Sequence, residues 1–197
     1  MNIAFLILAA GESSRMGAIK QLLPLNNTTL LENSLKVAKS SKAVQVCCVL
    51  GANLEMIKNQ LTIENIEFII NSNYENGLGS SIACGVKFIE KEIQNIDKIL
   101  IMLGDQPEVD SKILNSIIDL SLKNPHKIVA TSYQENLGVP AIFPKTYFLE
   151  LKKLNKDFGA KKIIRKFSSD VISFNTSKSL VDIDTPEDYQ NYLKSLS

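Results

Sequence analysis

The chain is predicted to be α/β: a single doubly wound domain with a mostly parallel mixed sheet flanked by helices. Three observations lead there. Short apolar runs alternate with amphipathic stretches of helical period. Helical stretches of about ten to fifteen residues separate those runs, long enough for the crossovers that parallel strands require. The first run also breaks directly into a glycine-bearing polar loop, at the strand edge where open α/β sheets bind ligands. A length of 197 residues supports one well-buried core and is short for two.

Each element has its own local reason. The apolar run 3–9 makes the first strand and breaks at Ala10-Gly11. Thr29-Leu30-Leu31-Glu32 has the form of a capping box and opens a helix over 29–40. The next strand, 44–50, carries adjacent Cys47 and Cys48, whose side chains point to opposite sheet faces as reduced core thiols. A short helix over 53–61, a strand over 66–70 and a helix over 79–92 starting at Ser80 or Ser81 follow. After the strand 98–103, Asp110 or Ser111 caps a helix over 111–123 with Ile113, Leu114, Ile117 and Ile118 as its apolar stripe. Strands over 127–132 and 139–143 interrupt the regular alternation. The Glu135-Asn136-Leu137-Gly138-Val139-Pro140 segment between them reads as a β excursion. Weaker strands are expected at 171–174 and 180–183. The last helix starts at Thr185-Pro186-Glu187-Asp188, with Thr as cap, Pro in the first turn and acids against the dipole.

Composition narrows the function. A formal charge of +1 lacks the basic excess of a nucleic-acid or membrane-surface protein. No apolar run approaches the roughly 18 residues needed to span a bilayer, and Met1-Asn2 lacks the basic start of a signal peptide, so a cytoplasmic location is expected. Cys47, Cys48 and Cys84 have no metal-site spacing, and the single His126 follows a turn, which sets aside histidine chemistry.

Four segments carry chemistry. In Gly11-Glu12-Ser13-Ser14-Arg15-Met16-Gly17-Ala18-Ile19-Lys20 the glycines permit positive φ or close backbone approach, Arg15 offers a bidentate fork and Lys20 a compact charge. This polyphosphate cradle matches neither Walker A nor the dinucleotide fingerprint. The second, Asn71 through Gly77-Leu78-Gly79-Ser80-Ser81, enters a helix whose free amides suit an anion or a polar base. It reads equally as a plain strand-to-helix turn. Third, Leu103-Gly104-Asp105-Gln106-Pro107 puts a carboxylate at the carboxyl edge of the sheet, suited to Mg²⁺ shared with substrate phosphates, the alternative being a plain turn with Gln106-Pro107. Last, Asp182 and Asp184 would share one face of a strand, with Ile183 on the other, and could supply a second metal contact; taken alone, Asp184 reads instead as a helix cap and Asp182 as a surface charge.

Together, in this order, these segments resemble the MobA-like NTP transferases, most closely their molybdenum cofactor cytidylyltransferase branch. Gly138-Val139-Pro140 and Asp157-Phe158-Gly159-Ala160-Lys161 add to the likeness, which covers nearly the whole chain. The resemblance implies a Rossmann-like, glycosyltransferase-A-like fold and a Mg²⁺-dependent transfer of CMP from CTP to a phosphorylated acceptor, molybdopterin, with release of pyrophosphate. The implied nucleotide contacts are Leu8, Ala9, Ala10, Gly11, Gly17, Gly77, Ser80 and Ser81. Arg15, Lys20 and Asp105 are the implied catalytic residues, and Asp105 with Asp182 the metal ligands, Asp184 being the weaker second candidate. An NTP-binding half over about 1–105, an acceptor half over about 106–197, and transient contact with a molybdoenzyme or its chaperone are implied too. Ala10 resembles the cytidylyl branch, where the guanylyl branch has glycine. Two departures bear on the acceptor: Val139 stands where the branch tends to have histidine, and Lys161 where it tends to have arginine. A sugar or polyol phosphate is the alternative acceptor. A non-catalytic nucleotide-binding accessory protein is the alternative class.

Overall fold

A computed structural model describes residues 1–133, 136–156 and 158–196. Glu135 of the expected β excursion and Asp157 of the Asp157–Lys161 segment lie outside the described residues. In chain order the elements are β1 (Ile3–Leu8), β2 (Pro24–Leu25), β3 (Thr28–Thr29), α1 (Leu30–Lys39), β4 (Gln45–Leu50), α2 (Leu54–Gln60), β5 (Glu67–Ile70), α3 (Leu78–Glu92) and β6 (Lys98–Leu103). They continue with α4 (Ser111–Lys123), β7 (Ile128–Tyr133), β8 (Asn136–Pro144), α5 (Phe148–Lys152), α6 (Ala160–Lys166), β9 (Val171–Phe174) and α7 (Pro186–Ser195). Seven strands form one sheet in the order β5-β4-β1-β6-β8-β7-β9, while β2 and β3 pair as a small separate hairpin. Only β8 runs against its neighbours, so the sheet is mixed and mostly parallel.

The central strands are apolar throughout because helices cover both faces. Ala4, Leu6 and Leu8 of β1 pack with Cys47, Ile82, Val86, Phe148 and Ile163. Phe5 and Ile7, on the other face, pack with Cys48, Leu31, Leu35, Leu114 and Ile117. The adjacent cysteines therefore divide between the two faces, as their alternation predicts. Burial pushes the Cys47 thiol up to about 12, which leaves it an inert packing group.

Capping follows the expected chemistry with two differences. Asp110 accepts from Ile113 N at 2.8 Å, and Thr185 with Asp188 closes a reciprocal box at α7. At α1 the box is half formed: Thr29 accepts from Glu32 N, but the Glu32 carboxylate pairs with Thr62 and Lys36 instead. The helix expected from Ser80 or Ser81 starts earlier, at Leu78, with Gly77 in the cap position at φ 82°. That φ lies where glycine alone is unstrained.

The expected strand over 180–183 is absent. Leu180 and Ile183 instead plug two different apolar clusters, and one backbone bond, Ile183 N to Asp105 O at 3.0 Å, docks the segment on the end of β6. Leu25, Leu30 and Ile183 form the small core beneath the hairpin, with Tyr189 and Tyr192 of α7 packed on it.

Candidate active site

The sheet order places the site. From β1 the chain goes to β4 and β5 on one side, then returns to β6 on the other, so the strand order reverses about β1. Ligands bind in the crevice at such a reversal, beyond the carboxyl ends of the strands. In the parallel β1–β6 register Leu8 lies opposite Leu103, which sets the opening loop beside Gly104-Asp105. Gly104 leaves room for a close approach: a Cβ there would come within 2.9 Å of Leu31 Cδ1, which would have to shift.

The opening loop is braced from within. Gln21 is buried, and its Nε2 donates to Ala9 O at 2.9 Å and to Gly11 O at 3.0 Å. Ser13 adopts a left-handed φ of 60°, and its Oγ accepts from Lys20 N at 3.2 Å and donates to Gln21 Oε1. Gly17 ends the following turn at φ 64°. A loop held this way is pre-organised, so little ordering remains when a ligand arrives.

A cavity of about 350 Å³ opens between these elements. Of the residues expected to meet the nucleotide, Leu8, Ala9, Ala10, Gly11, Gly77 and Ser81 line it, together with Arg15, Lys20, Asp105 and Asp182. Gly17 and Ser80 lie outside its wall. The Ser80 hydroxyl instead braces the loop, its one proton shared between Asn73 O and Gly77 O while its oxygen accepts from Asn71 Nδ2. The α3 terminus also differs from a bare anion site, because Gly79 N donates to Lys156 O at 2.8 Å.

At one end of the cavity three carboxylates meet two cations. Lys20 Nζ lies 2.5 Å from Asp105 Oδ2 and 3.0 Å from Asp184 Oδ1, while Arg15 reaches Asp184 Oδ2 at 3.1 Å. Asp182 forms no ion pair among the described residues, and its Oδ1 accepts from Gln106 Nε2 at 2.8 Å. The cluster therefore carries an excess negative charge, and proton affinities follow. Burial raises the Asp105 carboxyl above its ordinary range, with Asp182 and Asp184 adding to this and Lys20 opposing it. For Lys20, burial is outweighed by Asp105 and Asp184, which hold the ammonium above its usual range. Burial of Asp184 is likewise outweighed, by Lys20 and Arg15, so its carboxyl is held low.

Asp105 Oδ1 is buried and has no hydrogen-bond partner among the described residues. An unsatisfied buried acceptor costs about 1–3 kcal/mol, and more when charged. An orphaned carboxylate oxygen in an acid-rich pocket has the donor chemistry of a hard divalent cation. No group of three or more His, Cys, Asp or Glu side chains among the described residues forms a ready-made metal cage. The fit is to an ion such as Mg²⁺, which takes one or two carboxylates and completes its shell with water and substrate phosphate.

A second cavity of about 900 Å³ adjoins the first and shares Leu8, Leu78, Leu103 and Asp182 with it. Its far wall comes from the later chain: Tyr133, Val139, Phe158, and the cations Lys161, Lys162 and Arg165 of α6. Lys162 Nζ sits 4.3 Å from the Phe158 ring centroid. Apolar walls with a cationic flank suit an anionic ligand with a flat or apolar body.

Several lining residues escaped the sequence reading. Tyr74 lines the first cavity and packs so closely on Gly51 that a Cβ there would lie 2.5 Å from Tyr74 Cβ and 2.8 Å from Ala10 O. Asp184 ranked second among the acids, yet both cations bind it. Gln21 and Tyr133 gave no motif signal, and Gln106 stood in the Leu103–Pro107 segment without a role of its own, because their roles come from contacts made across the fold.

Comparison with known proteins agrees with this geometry. The MobA-like NTP transferase domain matches residues 5–171. The chain is 32% identical to the purine catabolism protein PucB of Bacillus subtilis over 96% of its own length and 95% of that protein's. It is 28% identical to the molybdenum cofactor cytidylyltransferase of Escherichia coli over 93% and 92% of the two chains. Among solved structures, the manganese complex of Rv0371c from Mycobacterium tuberculosis superposes with a TM-score of 0.82 at 28% identity, covering 99% of this chain and 100% of that one. The family match over most of the chain, on a fold with its polar cleft at the strand-order reversal, makes this protein a nucleotidyltransferase of the MobA-like NTP transferase family.

Proposed function

We propose that the chain transfers CMP from CTP to a phosphorylated acceptor, molybdopterin first among candidates, in a Mg²⁺-dependent reaction that releases pyrophosphate. One observation carries the reading: the acid–cation cluster and braced loop of the smaller cavity share a wall with a larger, cation-flanked cavity. Two phosphorylated substrates can thus meet along Leu8, Leu103 and Asp182.

Asp105 and Asp182 are the proposed metal ligands. Asp184 is engaged by both Lys20 and Arg15, whereas Asp182 keeps its charge uncompensated by any described cation. A bound divalent ion would draw charge from the nucleotide phosphates and lower the repulsion that an anionic nucleophile meets. Arg15 and Lys20 then exchange carboxylates for phosphate oxygens, Arg15 on the outer phosphates and Lys20 near the α-phosphate. An acceptor phosphate oxygen forms the new bond to the α-phosphorus as the bond to pyrophosphate breaks. No covalent protein intermediate is required. Lys161, Lys162 and Arg165 hold the acceptor anion, and Ala10 beside the nucleotide favours cytosine over a purine. In this reading residues up to about 105 serve the nucleotide and the remainder the acceptor, all within one domain.

No described helix is long and apolar enough to cross a membrane. A cytoplasmic setting and hand-over of product to a molybdoenzyme or its chaperone belong to the same proposal. Val139 and Lys161 favour one second reading, a sugar or polyol phosphate as acceptor, because both departures fall on the acceptor cavity. Pyrophosphate release measured for each NTP against molybdopterin and sugar phosphates, with wild type and Asp105→Asn, tests both. Release with CTP and molybdopterin, abolished in Asp105→Asn and by chelation, is expected. Tight nucleotide binding without release for any acceptor would leave a binding protein.

A further inference from the structure

We infer that Gln106 is a positioning residue that aims Asp182 at the divalent ion and ties that carboxylate to the wall of the acceptor cavity. The inference rests on the proposed role of Asp182 as a metal ligand. Gln106 is 2% exposed, and its Nε2 donates both to Asp182 Oδ1 at 2.8 Å and to Tyr133 Oη at 3.1 Å. The Tyr133 hydroxyl in turn donates to Val139 O, on the strand that lines the larger cavity. The result is a chain from carboxylate to amide to phenol to acceptor wall.

The amide can face only one way. Turned over, Oε1 would meet the Asp182 carboxylate and a phenol oxygen whose hydrogen is already directed at Val139. Held as it is, Oε1 is buried without a partner among the described residues. A neutral donor also suits the task, since it orients the carboxylate and leaves its charge for a cation, whereas Asp184 is neutralised by Lys20 and Arg15. The backbone beside Asp182 is fixed separately, by Ile183 N on Asp105 O. Gln106 therefore supplies the only described hydrogen bond to the Asp182 side chain.

The test is Mn²⁺ binding followed by electron paramagnetic resonance in the presence of CTP. It compares the intact wild-type chain with Gln106→Met, Tyr133→Phe, Asp182→Asn and the Gln106→Met/Asp182→Asn double variant. Residues that orient a ligand carry roughly 10- to 100-fold of metal affinity, so Gln106→Met should weaken Mn²⁺ by about tenfold. Tyr133→Phe should give a smaller loss in the same direction, and CTP binding without metal should hold in both. The double variant should bind no more weakly than Asp182→Asn alone, since Gln106 acts through that carboxylate. Wild-type Mn²⁺ affinity in a folded Gln106→Met, or additive losses in the double variant, would overturn the inference. If Gln106→Met fails to fold, wild-type affinity in Tyr133→Phe overturns it instead. Unchanged affinity in Asp182→Asn would remove the ligand assignment itself, an outcome distinct from the others.

Discussion

Lys20 is the residue whose replacement tests the site most sharply. Lys20→Met keeps the length and apolar stem of the side chain and deletes the ammonium between Asp105 and Asp184. At 2.5 Å from Asp105 Oδ2, the Coulomb attraction is about 6–7 kcal/mol at an effective dielectric constant near 20, before desolvation is subtracted. Breaking one side of a buried pair costs about 3–5 kcal/mol, because it strands the other charge. The two side chains are 16% and 17% exposed, and Asp105 can take up a proton, so the expected loss lies near the lower end of that range.

Function should suffer differently. A donor aimed at charge that grows in the transition state is worth roughly 10²- to 10³-fold in turnover. Its contribution to ground-state CTP binding is expected to be much smaller. Pyrophosphate-release kinetics give kcat and KM, calorimetry gives CTP affinity, and a thermal melt confirms that the variant is folded at the assay temperature. Equal losses in kcat and in CTP affinity would show that Lys20 binds ground state and transition state alike, and would refute the proposed role.

Three other outcomes are expected. Gly51→Ala drives a Cβ into Tyr74 and the Ala10 carbonyl, so it should cost about 1–3 kcal/mol by denaturant unfolding and weaken nucleotide binding through the displaced loop. Asp110→Ala removes the α4 cap and should cost about 1 kcal/mol with activity intact. Burial of Asp110 is outweighed by the Ile113 N–H and Lys178, which hold its carboxyl below the usual value of 3.8. Its contribution is therefore present above that pH and fades as pH falls through the lowered value, and stability curves of wild type and variant should converge in acid. Asp105 has the opposite sign: raised above 3.8 chiefly by burial, it favours the fold in its protonated form and loses that contribution as pH rises through its pKa. Asp105→Asn, which cannot ionise, should lose less stability than wild type as the metal-free protein is taken from acid to neutral pH in thermal melts, while its turnover collapses in the pyrophosphate-release assay.

The central strands were legible because both faces of β1, β4 and β6 are covered, which makes their sequences continuously apolar. Caps at Asp110 and Thr185 were legible because the hydrogen bond is local. The hairpin of β2 and β3 was not, since two-residue strands leave no periodicity. Nor were α5 and α6, each shorter than two full turns of amphipathic pattern can reveal. The 180–183 segment alternates like a strand, yet its two apolar residues serve different clusters. Asp105 and Lys20 stood out through their place at a strand end and in a glycine-bearing loop. Asp184 gained its position through contacts with Lys20 across 164 residues, and Gln106 through Asp182 across 76, distances over which local pattern carries no information.

The shared wall between the two cavities has an evolutionary consequence. Residues of the larger cavity outside it come mainly from the chain after Tyr133, whereas the braced loop and the Lys20–Asp105 pair belong to the first 105 residues. On the proposed assignment of the larger cavity to the acceptor, substitutions in α6 or at Val139 would change which molecule receives the nucleotide without disturbing how the nucleotide is held. A lineage built this way can diversify its products while its phosphate chemistry stays still. On the same assignment, the identity of the acceptor would be written in Val139, Lys161 and their neighbours.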